Sequence, residues 1–88
     1  MSYSDKDYCR VCGLLQPEPP WGEEGRLPSF NICDCCGVEF GYGDATTASS
    51  VIFREKWIAG GARWHIPSKK PAGWDWNEQL RNIPAEYR

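Results

Sequence analysis

The run "YCRVCG" (Tyr8–Gly13) nearly recurs as "ICDCCG" (Ile32–Gly37), and this pair constrains the chain more than any other feature. Its cysteines, Cys9, Cys12, Cys33 and Cys36, fall in the pattern C-x2-C-x20-C-x2-C. Two intervening residues let one tight turn aim both sulfurs at a single ion, and tetrahedral coordination needs two such turns face to face. Gly13 and Gly37 close the turns. A residue without a side chain can take positive φ there and lets a backbone N–H approach a thiolate. The spacing predicts one Zn2+ held by four cysteines. Such a site leaves no position open to water or substrate, so the ion is expected to be structural.

Other uses of paired cysteines fit the sequence less well. A thioredoxin-like redox pair needs a βαβ setting around one C-x-x-C, and the pattern offers none. A disulfide framework fits poorly with five cysteines and an N-terminus, "MSYSDKDYC", that lacks the basic start and apolar core of a secretory signal. The reading is therefore cytoplasmic, where thiols persist. Rubredoxin-type iron uses similar glycine-closed turns and stays open as an alternative metal. Cys35 lies inside the second pair; Cys36 has the better spacing and the following glycine, so Cys35 reads as a free thiol beside the site, with a redox role as its alternative.

At 88 residues the chain buries little apolar surface for its length, which gives a metal a reason to be there. Mean hydropathy is -0.59 and no apolar run approaches the roughly 20 residues of a membrane span. Charge is uneven: residues 1–44 carry eight acids and three bases, residues 45–88 four acids and seven bases. Four thiolates on a divalent ion would make the first half more negative still. General affinity for phosphate backbones is not expected.

Around the turns, "FNIC" (Phe30–Cys33) and "VEFGY" (Val38–Tyr42) alternate apolar and polar positions and predict short antiparallel strands. The intervening "LLQPEPPWGEEGRLPS" holds four prolines and two glycines and reads as a long ordered loop. The expected fold is small, α+β and metal-stabilised. Residues 1–44 form an N-terminal zinc ribbon, and residues 45–88 form a helical segment packed on it within one compact domain.

In that second part, Ser and Thr residues followed by Gly60-Gly61 predict a helix from Thr46 or Ser49 to Ala59. At 100° per residue, Val51, Ile52, Ile58 and Ala59 share one side, and Phe53 with Trp57 another. Two apolar faces imply a sandwiched helix. A second, short helix is expected after Asp75, an N-cap whose capping box Glu78 would complete, with Trp76, Leu80 and Ile83 as its apolar stripe and Pro84 as its stop. Lys69-Lys70 read as a solvated turn, with a phosphate contact as the alternative.

Five tryptophans are more than so small a core needs. Exposed tryptophan is a frequent hot-spot residue in interfaces, and Trp21 and Trp74 are the expected surface anchors. The loop with Glu18, Trp21, Glu23 and Glu24 would project from the metal-pinned base, where recognition residues tend to lie. The competing reading folds Trp21 back onto Phe53 and Trp57. His65 is the only histidine and has no nucleophile motif near it, so catalysis is not expected. A protein partner is.

From Tyr8 to Asp44, the pieces "CRVCG", "PPWGEEG" and "PSFNICDCCGVEFGYGD" resemble a group of small bacterial cysteine-rich proteins whose knuckles read C-P-x-C-G and C-P-C-C-G. "REKWIAGGARW" and "PAGWDWNEQL" are similar to later parts of the same group. Arg10 and Asp34 stand where that group favours proline. The resemblance implies a CPCC-type zinc-ribbon protein, and for some members an immunity-type partner of a bacterial toxin. The function expected is therefore a non-enzymatic zinc-binding interaction module. The alternatives are a nucleic-acid-binding ribbon using Arg54, Lys56, Arg63, Lys69 and Lys70, and an iron electron carrier.

Overall fold

The two cysteine turns fold as near copies, offset by 24 residues. In the computed structural model, which describes residues 4–88, Cys9 N–H donates to the Leu14 carbonyl at 2.9 Å and Gly13 N–H to the Cys9 carbonyl at 3.0 Å. The second turn repeats both bonds, Cys33 to Val38 at 2.9 Å and Gly37 to Cys33 at 3.0 Å. Gly13 and Gly37 sit at φ 82° and 79°, the left-handed region their sequence position predicts. One antiparallel bridge flanks each turn, Tyr8 with Leu15 and Ile32 with Glu39.

Those bridges are all that remains of the expected strands; no longer ladder forms among the described residues. "FNIC" fails because Phe30 takes φ 63°, outside the extended region. "VEFGY" fails because the chain turns at Gly41, φ 105°, where Phe30 and Pro28 press so closely that a side chain would collide with both. Gly41 N–H donates to the Asp44 carboxylate at 2.8 Å, which closes the turn. The alternating pattern is real, but local turn chemistry overrides it.

Helix α1 spans Thr47–Ala59. Thr46 caps it by accepting from Ser49 N–H at 3.0 Å, and Ser49 Oγ accepts in return from Thr46 N–H at 3.1 Å. Gly60 and Gly61 end it, and Ala62 N–H returns to the Trp57 carbonyl at 2.9 Å. Of the two expected apolar faces, the one with Phe53 and Trp57 is the inward one. Ser50 and Trp57 are buried, with Phe53 and Arg54 half-buried beside them, while Ile52 is 53% exposed. The expected aliphatic face is not a buried one. The inward stripe 50-53-54-57 has helical spacing but includes a serine and an arginine, so hydropathy alone misplaces it.

Beyond α1, the extended segment "RWHIP" runs along the second cysteine turn, with His65 N–H on the Cys35 carbonyl and Ile66 N–H on the Asp34 carbonyl, both 2.9 Å. Helix α2 spans Trp76–Leu80. Asp75 caps it through Asn77 N–H at 2.9 Å rather than through the reciprocal box expected with Glu78. Trp76 and Leu80 are half-buried against the core, and Ile83, just past the helix end, is buried. The core is a cluster in which all five cysteines mix with Val11, Val38, Phe40, Trp57, Ala62 and Trp64. No helix is long and apolar enough to cross a membrane among the described residues.

Candidate metal centre

The repeated turns bring the four sulfurs together. The Sγ atoms of Cys9, Cys12, Cys33 and Cys36 all lie within 4.8 Å of one another. Cys9 and Cys36 are 3.7 Å apart, and Cys12 and Cys33 3.6 Å. These two separations exceed a disulfide's roughly 2.05 Å and are of the size that a shared metal ion could span. A tetrahedron with metal–sulfur bonds of about 2.3 Å has edges of about 3.8 Å. The four residues are fully or almost fully buried, so an ion held there would not meet solvent.

Electrostatics explain why such a cluster suits a cation. Burial pushes the thiols of Cys12 and Cys36 well up, while contact with the Cys12 thiol, then with Cys36 and Cys9, holds Cys33 far below the ordinary thiol range. Without an ion, the group must share protons among buried sulfurs. A divalent ion removes that conflict by stabilising all four as thiolates. Donors surround the cluster: Val11 N–H points at Cys9 Sγ at 3.4 Å, and Gln16 Nε2 at Cys33 Sγ at 3.5 Å. Such outer contacts orient thiolate ligands and spread their charge.

Two further residues attach the rest of the fold to this centre, and the sequence marks neither for that role. Arg54, half-buried on α1, donates from Nε to the Val11 carbonyl at 2.6 Å and from a terminal nitrogen to the Arg10 carbonyl at 2.9 Å and to the Tyr87 carbonyl. Burial lowers its pKa, and the charges of Cys9, Cys12 and Cys36 oppose that shift. The guanidinium therefore fastens the first turn to α1 and to the C-terminus from beside a negative cluster. Gln79, buried on α2, donates from Nε2 to the Cys12 carbonyl at 3.0 Å and to Cys35 Sγ at 3.3 Å, while its Oε1 accepts from Trp74 Nε1 at 2.8 Å.

Cys35 is buried and stands outside the four-sulfur group, as the spacing predicts. Its thiol is lowered chiefly by contact with Cys12, against the effect of burial and with help from Gln79.

Of the residues expected at a partner surface, Trp74 is tied to the centre through Gln79, and Trp21, Glu23 and Glu24 make their contacts elsewhere. Trp21 is half-buried and folds back, though onto a different site from the one considered. Its indole N–H donates to Asp44 Oδ2 at 2.8 Å, and the Arg10 guanidinium stacks over its ring at 4.0 Å and over Tyr87 at 4.1 Å. Glu23 and Glu24 are exposed, one paired with Lys6 at 2.7 Å and the other with Arg26 at 2.9 Å. Trp74 is half-buried and packs edge-on against Trp57 and Trp64, at 6.2 Å and 5.5 Å between centroids. Trp57 Nε1 has an acceptor in the Arg63 carbonyl at 2.9 Å, whereas the buried Nε1 of Trp64 has none among the described residues.

Comparison with known proteins adds no relative. No family model, no curated protein and no solved structure matches this chain.

Proposed function

We propose that the chain is a non-enzymatic interaction module whose single Zn2+, bound by Cys9, Cys12, Cys33 and Cys36 in a zinc-ribbon-type centre, holds the fold together. The observation that carries this reading is the enclosure of the four sulfurs: a metal with four buried thiolate ligands has no position left for a substrate. The resemblance of the sequence supplies the partner class, a bacterial toxin neutralised by binding. The acidic loop is suited to a basic partner, since the side chains of Glu23 and Glu24 are each 77% exposed and weakly paired surface carboxylates can exchange partners.

A nucleic-acid-binding ribbon is less well supported. Arg54, one of its five expected cations, is engaged with three backbone carbonyls.

Two measurements test the proposal. Elemental analysis of native protein should give about one zinc per chain, and chelation should abolish the near-UV signal of the tryptophans; iron in that place would point to electron transfer. The zinc-loaded protein should bind the product of the adjacent gene with an affinity that falls in a Glu23→Lys variant. Tight binding to single-stranded or duplex DNA instead, weakening steeply with salt, would refute the protein-partner reading.

A further inference from the structure

A groove of about 500 Å3 opens on the side of the molecule built from "RWHIP" and the loop before α2. Its walls are Trp64, Trp74, Trp76 and Pro67, with Arg63 and Lys70 beside them. The size lies within the range of ligand-binding clefts. Among the described residues, none lining it carries a carboxylate. The nearest acid in sequence, Asp75, turns its side chain to the N-terminus of α2. Lys70 holds its ammonium 5.7 Å from the centre of the Trp74 ring.

The groove therefore offers donors and aromatic surface but no side-chain acceptor. Trp64, 8% exposed, forms part of its wall, and its indole N–H, itself closed off from solvent, has no hydrogen-bond partner among the described residues. Buried donors in folded proteins are nearly always paired, so an unpaired one in a side chain of the cleft wall is a donor that a small shift of the wall would offer to an acceptor. A matching ligand brings carbonyls and carboxylates, an apolar body, and few N–H groups of its own. A proline-rich segment has those properties. Its residues lack N–H donors, its carbonyls are free in the polyproline helix, and its rings pack on tryptophan. Glutamates within it would answer Arg63 and Lys70.

Resting on the reading of the chain as an interaction module, we propose that this groove binds an acidic, proline-rich peptide segment of a partner protein. Peptide carboxylates face Arg63 and Lys70, prolines lie against Trp74 and Trp76, and a peptide carbonyl accepts from Trp64 after a small shift of the wall. This contact is distinct from the acidic loop at Glu23 and Glu24. The module would thus present opposite charge on two surfaces, in keeping with its acidic first half and basic second half.

The test uses zinc-loaded full-length protein and a fluorescein-labelled peptide, Pro-Pro-Leu-Glu-Pro-Glu-Pro-Leu, followed by fluorescence anisotropy. Saturable binding is expected, weakened about tenfold when the glutamates become glutamines and lost when they become lysines. Lys70→Glu should weaken binding at least about tenfold, whereas Arg81→Glu, a matched charge reversal elsewhere on the exposed surface, should not. The Trp64 indole N–H resonance should move downfield on binding. Absence of saturable binding at millimolar peptide, equal affinity for the lysine peptide, an unaffected Lys70→Glu variant or an unmoved Trp64 resonance overturns the proposal. So does tighter binding of an oligothymidylate, which would assign the groove to nucleic acid. If the adjacent-gene product binds the protein but the peptide does not, the groove assignment fails while the module reading stands.

Discussion

Gly13 and Gly37 are a matched pair that separates the intrinsic cost of a cysteine turn from the cost of docking on it. Both have φ near 80°, so Gly→Ala at either position forces an L-residue into the left-handed region, at about 1–2 kcal/mol. Their surroundings differ. A Cβ on Gly37 would meet nothing closer than the His65 ring at 3.4 Å, an ordinary contact with a side chain that can move. A Cβ on Gly13 would be driven into the Gln79 carbonyl, with the Gln79 carbonyl carbon at 3.1 Å and Ile83 N at 3.3 Å. All three are backbone atoms of α2 and the turn after it, so the whole segment must back away. Overpacking of this kind adds about 1–3 kcal/mol. Gly37→Ala should then cost about 1–2 kcal/mol and Gly13→Ala about 2–5 kcal/mol. Urea unfolding followed by tryptophan fluorescence reads the difference, at fixed free zinc because metal binding is linked to folding. With a slope of about 1 kcal/mol per molar urea, the two midpoints should differ by about 1–3 M. Both variants should keep one metal per chain, since neither glycine is a ligand. Equal midpoints would refute this by showing that α2 does not bear on the first turn.

Replacing Cys35 with serine should leave the metal content unchanged and cost about 1 kcal/mol through its contact with Gln79, whereas Cys36→Ser should lose the metal; metal loss from the Cys35 variant in elemental analysis would reassign the ligands. Arg54→Leu removes donors from the carbonyls of Val11, Arg10 and Tyr87 and should destabilise the zinc-loaded protein by about 2–4 kcal/mol in the same urea assay, with faster zinc release to a chelator. A stability loss below about 0.5 kcal/mol would mean that solvent replaces those bonds without penalty.

What the sequence determined by itself is what depends on short range. The four-cysteine cluster follows from the two-residue spacing within each pair, the left-handed glycines from their place after the second cysteine, and the start and end of α1 from Thr46, Ser49 and the Gly60-Gly61 pair. Each is a property of a few consecutive residues, so it survives whatever the rest of the chain does. The tertiary structure decided the rest. Alternation in "FNIC" and "VEFGY" satisfied the strand pattern, yet a strand also needs a continuous partner, and the turns at Phe30 and Gly41 limit each pairing to one bridge. Arg54, Gln79 and Asp44 look like surface residues in the sequence, and all three reach inward. Their partners are far along the chain: Arg54 with Val11 and Arg10, Gln79 with Cys12, and Asp44 with Trp21. In a chain this small, the carbonyls of a cysteine turn and the edges of half-buried tryptophans need polar partners more than the core needs another aliphatic side chain. That need appears only once the turns face each other, which is why Arg54 turns inward while Ile52 stays exposed.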